Sequence, residues 1–246
     1  MRNIRLTLEY DGSRYSGWQR LGKGESENTI ENKLLEVISK MTGEAVELNC
    51  GSRTEAGVHA YGQIANFKTK SDMKLYEIKN YCNRYLPMDI AVLHAEEVPE
   101  RFHASLNAKS RTYLYRIALG DAPSVFDRKY TYYSFHKPNP EKLREAAKLL
   151  IGRHDFKDFS TVKKSKSTEK EVYSIEVEEK DKELHITMKA NDFLHNMARM
   201  LAATLMDFGL DKRPLSDIIA ILDPGQDVAG SLPASAQGLF LKEVEY

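Results

Sequence analysis

The strongest constraint on how this chain can fold is an order of hydrophobic periods that it runs through twice. The first pass begins with Ile4, Leu6, Leu8 and Tyr10 alternating with polar residues, the period of a half-buried strand. Thr29 then stands where an N-cap would precede the stripe Ile30, Leu34, Val37, Ile38 and Met41, which Gly43 ends. "EAVELNC" and "YGQIANFKT" read as the next two strands. "MKLYEIKNYCNRYL" has helical spacing and stops before Pro87, and "DIAVLHAEEV" closes the pass as a strand.

The second pass repeats that order. "RTYLYRIAL" is a strand, and "NPEKLREAAKLLIG" a helix between a proline and a glycine. "KEVYSIEVEEKDKELHITMKA" is a hairpin that turns at "EKDKE". "DFLHNMARMLAATLMDFG" is the strongest helix, with Asp192 as its cap, followed by the short helix "LSDIIAIL" and the strand "GLFLKEVEY". Two copies of β-α-β-β-α-β predict an α/β chain of two tandem ferredoxin-like halves, 1–105 and 106–246. The halves share element order and no detectable sequence identity. Without a low-complexity linker between them, they are expected to form a continuous mixed, largely antiparallel sheet with a central basic cleft.

A chain of 246 residues can bury the core that such a fold requires. Hydrophobic residues make up 41% and charged residues 29%, the balance of a soluble globular protein. No apolar run reaches membrane-spanning length, and the start "MRNIRLTLEYDGS" has no apolar signal core, so a cytoplasmic location is expected. Cys50 and Cys82 are too few for a disulfide framework. The 36 basic and 36 acidic side chains cancel, which argues against a protein that coats nucleic acid and leaves room for a local basic cleft. With no CxxC, no HExxH and dispersed histidines, no metal site is predicted. Walker, GxGxxG and nucleophile-elbow patterns are missing too, so neither a nucleotide cofactor nor a serine hydrolase is supported.

What remains is "NCGSRTEAGVHAYGQIANF", residues 49–67, which sets charge and glycine between apolar residues. Gly51 and Gly57 would let residues 53–56 protrude from the sheet and deliver Arg53 and Glu55 to a cleft. The alternative is a solvated hairpin whose Arg53 and Glu55 form a weak surface pair. "GSRYSGWQRLGKG" carries Arg14, Trp18, Arg20 and Lys23, either for phosphate and base contact or as a glycine-rich loop anchored by its tryptophan. "KSRTYLYR", with Lys109, Arg111 and Arg116, is either a basic surface or an amphipathic edge strand. "TVKKSKSTEK" is either a phosphate site or a solvated basic loop. Arg199 lies off the stripe of Leu194, Met197, Leu201, Leu205 and Phe208, with Ala202 and Ala203 leaving its guanidinium accessible.

"SRTEAGVHAYGQIANF" closely resembles the signature loop of the TruA family of tRNA pseudouridine synthases. "EYDGSRYSGWQR", "RFHASLNAKSRTYLYRI", "LIGRHDFKDFS", "NDFLHNMARMLAATL" and "GLFLKEVEY" resemble further blocks of that family, in the family's order. The resemblance covers nearly the whole chain. It implies a cofactor-free isomerase that detaches uracil from a tRNA uridine, rotates it and rejoins it through carbon. It also implies a homodimer that binds tRNA by its anticodon arm, with a target base drawn out of the stack.

On that resemblance Glu55 takes the place of the catalytic carboxylate, and Arg53 that of the arginine that fills the space of the expelled base. Tyr113 matches the tyrosine that stacks on uracil, Arg199 the arginine that pairs with the carboxylate, and Leu239 an apolar residue against the base. Arg20, Lys109 and Arg111 are further expected RNA contacts. The family's carboxylate is normally aspartate; the extra methylene of Glu55 would displace the oxygens by roughly an ångström. Ser105 stands where arginine is customary, Ser167 near another customary arginine in the basic loop, and Ser52 where glycine is usual. The readings are therefore an active synthase using Glu55, a homologue that binds tRNA without isomerising it, or an RNA-binding or small-ligand protein of another kind.

Overall fold

The alternation at the start of the chain becomes strand β1 (Arg2–Tyr10), with Ile4, Leu6 and Leu8 fully buried. The computed structural model describes all residues except 23, 25, 162–166, 224, 225, 227 and 229. Residues 162–166 of the basic loop "TVKKSKSTEK" and Lys23 of the tryptophan loop thus lie outside the described residues. The chain divides into two compact units, Met1–Lys109 with Phe240–Tyr246, and Ser110–Leu239. Both are α/β. Among the described residues, no helix is long and apolar enough to cross a membrane.

In the first unit, α1 (Ile30–Thr42) follows β1 and buries Ile30, Leu34, Val37 and Ile38. Its ends are those expected. Thr29 accepts a hydrogen bond from the Asn32 amide, and Gly43 closes the helix at φ 71°. Then come β2 (Asn49–Cys50), β3 (His59–Thr69), α2 (Leu75–Tyr85) and β4 (Ile90–Val98). β1 pairs antiparallel with β3 and with β4, and β2 lies antiparallel on β3. The last strand, β10 (Leu239–Glu245), runs parallel to β3, with Phe240 opposite His59 and Leu241 opposite Ala60. The strand expected over "EAVELNC" shrinks to two residues. Glu44 explains part of this: its carboxylate leaves the strand pattern to accept from the Thr69 hydroxyl at 3.2 Å and the Lys70 amide at 3.0 Å.

The second unit holds β5 (Ser110–Ala118), β6 (Tyr132–Tyr133), α3 (Pro140–Leu150), β7 (Gly152–Asp155), β8 (Glu169–Lys180), β9 (Glu183–Ala190), α4 (Met197–Gly209) and α5 (Ser216–Leu222). Its strands lie in the order β5-β9-β8-β7, with β6 parallel to the end of β5. The hairpin turns within "EKDKE", where Asp181 takes φ 50°. Two short strands, β6 and β7, were not anticipated.

One helix start needs correcting. α4 begins at Met197, after Asn196 at φ 63°, and Asp192 is not its cap. The Asp192 carboxylate instead faces two cations, Arg111 Nε at 3.5 Å and Lys170 Nζ at 3.3 Å. Residues 192–196 therefore form an irregular entry, and Leu194 lies outside the helix whose stripe it was expected to join.

Candidate active site

Glu55 and Arg53 belong to the first unit, and Tyr113, Arg199 and Leu239 to the second. In the first unit, residues 51–58 connect β2 to β3, as the sequence led us to expect. Only one of the two glycines serves backbone freedom: Gly57 sits at φ 78°. Gly51 instead permits close packing, because a Cβ there would lie 3.0 Å from Val244 Cγ1 and 3.1 Å from the Tyr246 hydroxyl.

The loop is held on both sides of Arg53. On one side, the Gln63 side chain grips the Ser52 peptide: Nε2 donates to Ser52 O at 2.6 Å, and Oε1 accepts from Ser52 N at 3.3 Å. On the other, the Thr54 hydroxyl meets the Tyr10 phenol at 2.7 Å, and Thr54 O accepts from the Trp18 amide at 2.9 Å. Arg53 is exposed, Thr54 buried and Glu55 half-buried. A turn bond from Val58 N to Glu55 O (3.1 Å) and another from Gly57 N to Tyr15 O (3.3 Å) complete the frame. Burial, above all, pushes the Tyr10 phenol far above the usual tyrosine range. Hydrogen bonds with Thr54 and Gln63 oppose that shift, and the negative charge of Glu55 adds to it.

Segment 11–20 packs directly against this loop. A Cβ on Gly12 would come within 1.9 Å of Val58 O, and one on Gly17, at φ 95°, within 2.8 Å of Thr54 O. The Gly12 amide donates to Nδ1 of buried His59 at 3.0 Å, so that nitrogen acts as an acceptor. His59 in turn stacks on Phe240 at 4.6 Å. The choice left open for this segment resolves residue by residue. Trp18 is 1% exposed and is a core anchor rather than a base contact. Arg14 is paired with Asp89 at 2.7 Å, which leaves Arg20 as an exposed cation. The Tyr15 phenol also donates to Asp89, at 2.5 Å; burial first and that carboxylate second push it up to about 12.

In the second unit, Tyr113 lies on β5, is 5% exposed and meets the edge of Phe193 at 4.9 Å. Arg111 is likewise buried, donating to Asn191 O at 2.7 Å beside Asp192. Arg116 forms a two-pronged pair with Glu183 at 2.9 and 2.7 Å, and His185 approaches the same carboxylate at 2.7 Å. Burial raises the Glu183 pKa, but the hydrogen bonds from Arg116 and His185 outweigh it and hold the group below the usual carboxylate range. "KSRTYLYR" is therefore mostly a strand whose arginines have internal partners, with Lys109 exposed.

Arg199 stands in the first turn of α4, half-buried rather than fully accessible. Its Nε donates to Ala234 O at 2.6 Å, and Nη1 donates to Asn196 Oδ1 at 3.0 Å. The Tyr115 phenol donates to Ser235 O at 2.9 Å, so Arg199 and Tyr115 together fix the backbone that leads into β10. Leu239 is 1% exposed. Sequence reasoning missed Gln63 and Tyr10 as supports of the Glu55 loop. The one available signal was a glutamine within the strand segment "YGQIANF", which carries a second amide at Asn66.

A family model described as tRNA pseudouridine synthase matches residues 7–107 and 146–246. A Bacillus cereus protein named tRNA pseudouridine synthase A 2 is 44% identical over 247 residues, covering 100% of both chains. A Clostridium tetani protein named tRNA pseudouridine synthase A 1 is 42% identical over 248 residues, again covering 100% of both. Among solved structures, a chain of the crystal structure of a Cbf5-Nop10-Gar1 complex is matched over 95% of this chain and 47% of that one. Its TM-score is 0.38 at 12% identity, too remote to carry an argument.

Proposed function

This chain belongs to the tRNA pseudouridine synthase family, and from that premise we propose that it isomerises uridines on the 3′ side of the tRNA anticodon stem-loop, with Glu55 as the catalytic carboxylate. The reaction breaks the C1′–N1 glycosidic bond and forms C1′–C5. N1 gains a proton, and C5 loses its own to solvent. A carboxylate serves this chemistry either by attacking the sugar or base or by taking a sugar proton.

The observation that carries the reading is the fixed presentation of Arg53 and Glu55. Ser52 and Thr54 are each held by buried partners, while Arg53 is exposed between them. A plain solvated hairpin has no need of such anchoring. In the proposed reaction Arg53 enters the space left by the extruded base. Tyr113 stacks on the uracil, Leu239 supplies apolar contact, and Arg199 acts as the cationic partner of Glu55. Arg20 and Lys109 contribute positive charge toward the RNA, while Arg111, buried beside Asp192, acts at most by supporting the strand that carries Tyr113. The working form on this proposal is a cytoplasmic homodimer that needs no cofactor.

The test uses unmodified tRNA transcript carrying tritium at uridine C5. The proposal predicts release of tritium to water on incubation with the purified protein. Binding of the transcript without release would leave a tRNA-binding homologue, and failure to bind at low salt would remove the RNA reading altogether.

A further inference from the structure

We propose that Gln63 is a positioning residue for the reaction: through its side-chain amide it sets where Arg53 and Glu55 are presented. This rests on the reading of Glu55 as the catalytic carboxylate. Gln63 is fully buried on β3 and makes four hydrogen bonds, the full capacity of a primary amide. Oε1 accepts from Ser52 N at 3.3 Å and from Ile64 N at 3.1 Å; Nε2 donates to Ser52 O at 2.6 Å and to the Tyr10 phenol at 3.3 Å.

The orientation of the amide is forced by its partners. Backbone N–H groups only donate, so they must face the oxygen, and Ser52 O only accepts, so it must face the nitrogen. The Tyr10 oxygen accepts from Gln63 and lies 2.7 Å from Thr54 Oγ1, a hydroxyl pair in which either oxygen can donate. One side chain therefore reaches both residues that flank Arg53, the first directly and the second through Tyr10.

No other residue type found in proteins makes the same grip. Leucine fills the volume and makes none of the bonds. Glutamate keeps the acceptor and turns an oxygen toward Ser52 O, leaving two buried acceptors face to face. Loss of the grip frees the Ser52 peptide, and a shift of about 1 Å in a reacting group costs on the order of a hundredfold in rate.

The experiment compares wild type, Gln63→Leu, Tyr10→Phe and Glu55→Ala, all as the full chain and below their melting temperatures. Tritium release gives kcat and KM, and amide hydrogen exchange is followed over residues 50–60. The expected result for Gln63→Leu is a kcat lower by about a hundredfold with KM for tRNA within about twofold, and exchange at 52–58 at least tenfold faster while β1 and β4 stay protected. Tyr10→Phe, which keeps the ring and the grip of Gln63 on Ser52 but removes the bond from Gln63 Nε2 and the link to Thr54, should show a smaller change of the same kind. Unchanged exchange at 52–58 in Gln63→Leu overturns the inference whether or not the enzyme turns over. Unchanged kcat in Gln63→Leu, with Glu55→Ala inactive, overturns it while leaving the catalytic reading intact. Full activity in Glu55→Ala overturns the catalytic reading itself.

Discussion

The Tyr10 phenol and the Thr54 hydroxyl lie 2.7 Å apart in the interior of the first unit, one residue before Glu55. Tyr10 ends a strand whose alternation is plain in the sequence, and Thr54 sits in the loop that carries the proposed chemistry. The bond therefore ties the most regular part of the fold to the least regular. The phenol stays neutral against the pull of that bond, because it is buried and a phenolate would be repelled by the carboxylate of Glu55.

Gly12 is where the two loops of this unit touch most closely. Gly12→Ala would drive a Cβ to within 1.9 Å of Val58 O, a backbone atom that cannot step aside. We expect a loss of about 1–3 kcal/mol or more in urea unfolding. Gly22→Ala is the control, since among the described residues nothing lies within 4 Å of a Cβ there, and it should stay within about 0.5 kcal/mol of wild type. Equal effects would mean that the contact between the loops is not tight.

The helix caps give a matched pair. Thr29 Oγ1 accepts from the Asn32 amide at 3.3 Å, so Thr29→Ala should cost about 1 kcal/mol. Asp192 has the sequence position of a cap and the contacts of an ion-pair partner. Asp192→Asn, which would preserve a cap, should still weaken the hold on Arg111 and Lys170. Chemical denaturation of both variants measures this, and an Asp192→Asn protein as stable as wild type would contradict it.

Much of the first unit was legible because its signals are local. An alternating strand, a threonine before an apolar stripe and a glycine after it need no knowledge of distant residues. The segment carrying Arg53 and Glu55 was legible as a loop between strands for the same reason. Asp192 misled because its partner Arg111 is remote in sequence, and β7 was hidden because Gly152 reads first as the end of a helix. Gln63 and Tyr10 were legible as strand residues but not as supports. Their partners lie up to 53 positions away along the chain, and no periodicity encodes that.

Stability should fall on the alkaline side, beginning with Cys82. Burial pushes this fully buried thiol from 9.0 up to about 12. Between those values the folded state keeps a proton that the unfolded chain releases. Stability is thus fully present below pH 9 and declines as pH rises, approaching about 1.4 kcal/mol per pH unit. Cys82→Ala should lose this first slope. Urea midpoints at pH 8 and at pH 10 test it, and identical pH dependence in both proteins would contradict the assignment.

Arg20 is an exposed cation beside a loop whose other arginine, Arg14, is committed to Asp89. If Arg20 meets a tRNA phosphate, Arg20→Ala should weaken binding to all tRNAs alike. It should also reduce the slope of log K against log salt by about one unit. Titrations at several salt concentrations measure this, and an unchanged slope would remove Arg20 from the interface.

The most direct test of the account is tritium release from C5-labelled tRNA by wild type, Glu55→Ala and Glu55→Asp. We predict release by wild type and a fall on the order of a thousandfold or more in Glu55→Ala with tRNA binding retained. Activity in Glu55→Asp should equal or exceed that of wild type, since the carboxylate is kept. Release by Glu55→Ala at the wild-type rate would contradict the account.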